Sequence, residues 1–138
     1  MTVAKRDLNV FFDHYYSEKV KKRQANESTT WGTWDNGNLN GMGIAIYMLK
    51  LDYLYKEWLY KNDHYTLSSD DIGHFCIVYD LYTMGTTEEY TALLNAIDDN
   101  CITVKDIAQD IYDHSRYLDG QTPKDLEKMI IYNVIKEV

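Results

Sequence analysis

Across residues 103–118 the apolar positions recur every three or four residues, the spacing of one face of an α-helix. Val104, Ile107, Ala108, Ile111, Ser115 and Leu118 fall on one stripe, while Asp106, Asp110, Asp113 and Tyr117 fall on another. One face packs and the other displays carboxylates. Ile72, Phe75, Cys76, Tyr79 and Tyr82 make a similar inner face upstream. Helix starts are marked too. Thr122-Pro123-Lys124-Asp125 sets a cap hydroxyl, a proline at the first helical position and an acid in the first turn, and Thr86-Thr87-Glu88-Glu89 and Thr103-Val104-Lys105-Asp106 follow the same logic. Periodicity and caps together predict helices over 4–25, 42–62, 69–84, 87–98, 103–118 and 123–137. The expected fold is all-α, a compact single-domain bundle of about six helices over residues 1–138. The second helix is apolar nearly all round, with a narrow charged stripe through Lys50, Glu57 and Lys61, so its neighbours are expected to wrap it.

The segment 26–43, NESTTWGTWDNGNLNGMG, breaks the pattern. It holds four of the seven glycines and two of the three tryptophans, and is expected to be a long loop of the kind that carries function. Asp35-Asn36-Gly37-Asn38 suits a tight turn, and the flanking Thr and Trp residues suit a small hairpin. Trp31 and Trp34 either cover the end of the core or anchor a partner. Asn36-Gly37-Asn38-Leu39-Asn40-Gly41 imitates the first half of a calcium loop, but Tyr47 stands where a bidentate Glu is needed.

Charge divides the chain. Residues 1–61 carry nine Lys/Arg against seven Asp/Glu, and residues 62–119 carry two against twelve, within a net charge of −8. A block this acidic repels nucleic acid and membrane surfaces and attracts the basic groove of a protein that binds nucleic acid. The window from Met42 to Tyr60 is interrupted by Lys50, Asp52, Lys56 and Glu57, which argues against a spanning helix. Cys76 and Cys101 form no CxxC pair, and the N-terminal residues lack the apolar run of an export signal, so reduced thiols in a cytoplasmic protein are expected.

Chemistry-bearing patterns are few. Asp70/His74 and Asp110/His114 each set a carboxylate and an imidazole one turn apart, and two such pairs on facing helices are the only arrangement that would support a metal-dependent helical enzyme. The Glu-x-x-His pattern of carboxylate-bridged bundles is absent, so the expectation is no metal and no cofactor. Cys76 reads as a core thiol, and Cys101 stands beside Asp98 and Asp99, poor neighbours for a nucleophilic thiolate. Nucleophile elbows, phosphate loops and dinucleotide fingerprints are missing, so the chain is expected not to be an enzyme. Lys19, Lys21, Lys22 and Arg23 close the first helix, where cations complement the helix dipole. Thr103 to Ala108 resembles the opening helix of repressor-type helix-turn-helix domains. The recognition helix that reads DNA does not follow it, so no DNA binding is inferred.

Thirteen tyrosines, three tryptophans and a run of carboxylates suit a surface built for protein binding. Carboxylates on successive helical turns stand about 5–6 Å apart, a spacing comparable to consecutive phosphates. In general character the chain is similar to acidic anti-CRISPR and anti-restriction proteins of phages and mobile elements. That similarity implies a non-catalytic inhibitor of a nuclease or effector complex, and the acidic residues Asp98, Asp99, Asp106, Asp110 and Asp113 with the aromatic Tyr117, Trp31 and Trp34 are the expected partner-binding residues from charge and composition. A module that self-associates as a homodimer through its Tyr-rich face is the alternative that needs neither metal nor nuclease.

Overall fold

The computed structural model of the protein describes residues 5–24, 34–116 and 118–138, with side chains at 7–23, 39–116 and 118–138. Seven helices form among the described residues: α1 (Lys5–Gln24), α2 (Trp34–Met48), α3 (Asp52–Lys61), α4 (Ser69–Val78), α5 (Thr87–Asp98), α6 (Val104–Asp113) and α7 (Pro123–Asn133). Two short strands, β1 (Tyr65–Thr66) and β2 (Lys136–Glu137), pair antiparallel with Tyr65 opposite Glu137. The fold is all-α. No helix among the described residues is long and apolar enough to cross a membrane.

Four helices begin on one device. The side chains of Ser68, Thr86, Thr103 and Thr122 accept the backbone N–H of Asp71, Glu89, Asp106 and Asp125 at 3.1–3.3 Å. At α7 the bond is reciprocated, Asp125 accepting the Thr122 N–H at 2.9 Å behind Pro123, which completes a capping box.

The ends at Gln24, Lys61 and Asp98 fall within a residue of expectation, and the others depart from it. Lys50, Asp63, Asp80 and Asn100 hold φ between 52° and 58°, and the residue after each donates its N–H five residues back, Leu51 to Ile46, His64 to Leu59, Leu81 to Cys76 and Cys101 to Ala96, at 2.8–2.9 Å. This double-bonded left-handed closure stops a helix without glycine. It cuts the expected helix 42–62 in two at Lys50 and ends α4 at Val78 rather than 84. The helix expected over 103–118 ends at Asp113, with His114 as its cap, and that over 123–137 ends at Asn133, because residues 136–137 pair with β1. The loop and hairpin expected over 26–43 are overturned from residue 34 onward, since α2 already begins at Trp34. With Asn36 to Asn40 in helix, the calcium-loop geometry is gone too.

Contacts gather the chain into two compact units, Met1–Trp58 and Leu59–Val138. In the first, α1 and the start of α3 meet through aromatic rings. Phe12 lies 5.2 Å from Tyr55 and 6.2 Å from Trp58, Tyr15 meets Tyr55 edge-on at 5.4 Å, and Tyr16 lies 5.9 Å from Trp58. α2 crosses α1 at Gly43, where an added Cβ would stand 3.2 Å from the Tyr15 hydroxyl. The wrapping expected of the helix 42–62 is met only in part: Ile46 of α2 and Tyr55, Trp58 and Leu59 of α3 are buried, but Ile44, Tyr47 and Met48 are 61–72 % exposed.

The second unit holds the aliphatic core. Ile72, Val104, Ile107, Ile111, Leu126, Ile130 and Ile135 are fully buried, fed by the apolar faces of α4, α6 and α7. The α6 stripe packs as its spacing predicts through Ile111, and Leu118 packs against the same core from beyond the helix end. Tyr79, expected inside, is 43 % exposed. Tyr82 is buried as expected but sits in the loop after α4. The Tyr60 hydroxyl donates to Glu127 at 3.0 Å, and burial with that carboxylate pushes it up to about 12.

The charge divide follows the two units. Residues 1–58 hold eight Lys/Arg against seven Asp/Glu, and residues 59–138 hold six against fifteen, so the second unit carries −9.

Candidate functional site

The acidic face of α6 borders a shallow groove of about 440 Å³ against α5. Ala92, Leu93, Ala96 and Ile102 line it with apolar surface, and Glu89, Asp106, Gln109, Asp110, Asp113 and His114 line it with polar groups. The i, i+4, i+7 spacing brings the three aspartates to one wall.

They are not equivalent. Asp106 is exposed and accepts from its cap hydroxyl, Thr103 donating at 2.8 Å, and Asp113 is exposed and accepts from Gln109 at 3.0 Å. Asp110 is half-buried and committed inward, accepting the Tyr82 hydroxyl at 2.9 Å. Its neighbour His114 is fastened on both sides. Nδ1 lies 2.8 Å from the Asp110 backbone oxygen and 3.4 Å from its Oδ1, and Nε2 meets the Glu89 carboxylate of α5. A backbone oxygen and a carboxylate only accept, so the imidazolium form, with hydrogen on both ring nitrogens, satisfies both contacts at once. The Asp110 carbonyl first, then the Asp110 and Glu89 carboxylates, raise the His114 pKa above its usual value against a smaller desolvation effect.

Tyr82 completes the cluster. Its ring stacks on His114 at 4.8 Å and 20°, meets Tyr90 at 5.2 Å, and its N–H donates to Ser115 Oγ at 2.8 Å. Burial and the Asp110 acceptor push its hydroxyl above the ordinary tyrosine range. These groups hold one another in place, and none of them is an activated nucleophile. Cys76, buried and pushed up to about 11 by that burial, stays a thiol at neutral pH.

The other expected partner residues scatter. Asp98 and Asp99 close α5, exposed; Asp98 borders a second groove of about 510 Å³ with Asp63, Tyr65 and Asn100. Trp34 opens α2 in the first unit, while Trp31 and Tyr117 lie outside the described residues. Asp70 and His74 are exposed on α4, and among the described residues no three His, Cys, Asp or Glu side chains stand so as to hold a metal ion. Sequence reasoning found the Asp110/His114 spacing but missed Glu89 and Tyr82 as their partners. A cap acid at Glu89 was visible, yet its second contact is made across two helices.

Compared with known protein families, curated proteins and solved structures, the chain matches none.

Proposed function

We propose that the acidic unit is a non-catalytic binding module that occupies the basic nucleic-acid-binding groove of a partner protein, a nuclease or effector complex, as an acidic inhibitor of the phage or mobile-element kind. One observation carries this reading: the −9 charge of residues 59–138 is displayed rather than neutralised. Among the described residues Asp98, Asp99, Asp106 and Asp113 have no ion pair, and Lys136, one of the unit's six cations, is engaged by Asp71 at 3.0 Å. Carboxylates without cations repel each other, and two of these four stand at the C-terminal end of α5, where the helix dipole disfavours them. A basic groove relieves both costs and gains association rate by electrostatic steering. The same charge opposes any direct hold on DNA.

The test is displacement. The immobilised chain should capture a nucleic-acid-binding protein from host lysate, and adding free chain should release a labelled DNA duplex from that protein, read by fluorescence anisotropy. Captured proteins that keep their duplex at saturating chain would refute the reading.

A further inference from the structure

Between α4 and α5 the chain is held to the end of α6 by backbone N–H hydrogen bonds to His114 and Ser115 and by one stacked ring. Met84 donates its N–H to the His114 backbone oxygen at 2.8 Å, Tyr82 donates its N–H to Ser115, and the Tyr82 ring lies flat on the His114 imidazole. From the far side, Glu89 in the first turn of α5 meets His114 Nε2 with one carboxylate oxygen while the other accepts the Thr86 cap hydroxyl at 3.0 Å. Three segments therefore converge on one imidazole.

We propose that His114 is a proton-operated clasp: its imidazolium fastens the first turn of α5 and the loop 79–85 to α6, and loss of one proton opens the fastening. Nδ1 keeps its hydrogen on deprotonation because it faces the Asp110 carbonyl. The proton leaves from Nε2, and the bare nitrogen lone pair is then set against the Glu89 carboxylate, an acceptor against an acceptor. Glu89 swings away, and with it the end of α5 nearest the loop loses its hold. The loop is built to respond. Tyr82 holds φ +64°, a strained conformation for a bulky residue that persists only while its contacts over-determine it. The groups that face the ring from each packed element are Glu89 of α5, Asp110 of α6 and Tyr82 of the loop, with Tyr90 of α5 and Cys76 of α4 behind Tyr82. The two carboxylates favour the imidazolium, and both tyrosines and the buried thiol stay neutral through the range in which it titrates. The clasp stands whether or not the groove receives a partner.

Nuclear magnetic resonance of the full chain tests it. The His114 ring titration and the exchange protection of the Tyr82 and Met84 amides are followed from pH 5.5 to 8.5, each protection factor corrected for intrinsic exchange. Protection at both amides should fall about tenfold or more across the His114 titration. In Glu89→Gln, which keeps a cap-competent side chain, the His114 midpoint should drop and the protection change should move down with it. In His114→Gln, protection should show no step in this range. A protection factor that stays level while wild-type His114 titrates, or a step that stays in place in Glu89→Gln or persists in His114→Gln, would overturn the clasp.

Discussion

Gly85 owes its place to the ring beside it. A Cβ there would collide with Tyr82 Cε1 and stand 2.6 Å from Cδ1, and His114 and Tyr90 pack against the same ring. Gly85→Ala is therefore expected to destabilise the second unit by about 1–3 kcal/mol, the usual cost of overpacking, read as a lowered denaturation midpoint. Gly120 offers the contrast, with φ +77° and, among the described residues, nothing within 4 Å of an added Cβ, so its constraint there is conformational. An unchanged midpoint for Gly85→Ala would mean that the ring is free to move. The burial of Tyr82 was expected, although the helical spacing behind that expectation does not hold, since α4 ends at Val78 and Tyr79 is exposed. The Tyr82 backbone was not legible, because nothing local distinguishes a tyrosine on a helix from one in a left-handed loop when distant groups supply the hold.

At the scale of elements, the starts of α4 to α7 were legible, whereas ends were legible only at Gln24, Lys61 and Asp98 and not for α2, α4, α6 and α7. A Ser/Thr followed three residues later by Asp/Glu satisfies orphan N–H groups within one turn, and such starts fell within a residue of those expected for α4 to α7. The left-handed closures at Lys50 and Asp80, which end α2 and α4 early, use residues that also occur inside helices or turns, so no glycine flags them. The caps also set the pH response. The Ser68 hydroxyl and Lys136 hold Asp71 below the usual carboxylate range, and the Thr122 backbone N–H does the same for Asp125. Their contributions are complete above the ordinary carboxylate value of about 4 and are lost as pH falls through the lowered values. His114 has the opposite sign. Its contribution is complete below the ordinary histidine value of 6.5 and is lost as pH rises through the raised value. Denaturant melts from pH 3 to 9 should show a plateau between about 4 and 6.5, falling on both sides. His114→Gln should flatten the alkaline limb alone. Stability that climbs from pH 6.5 to 8.5 in the parent would contradict this assignment.

For the whole molecule, the division of charge was readable by counting, and the two compact units fall within three residues of where the counting placed it. What counting could not read was which carboxylates are available. Asp110, alike in sequence to Asp106 and Asp113, is spent on Tyr82 and His114, so it belongs to the framework of the groove rather than to its display. The most direct measurement of the central claim is the association rate with the captured nucleic-acid-binding partner as a function of ionic strength, for the parent and for a variant with Asp98, Asp99, Asp106 and Asp113 each changed to Asn. The parent should associate fast at low salt with a steep decline, and the variant should associate about tenfold or more slowly with a flattened salt dependence and an intact fold. Equal rates and equal salt dependence for the two proteins would contradict the account.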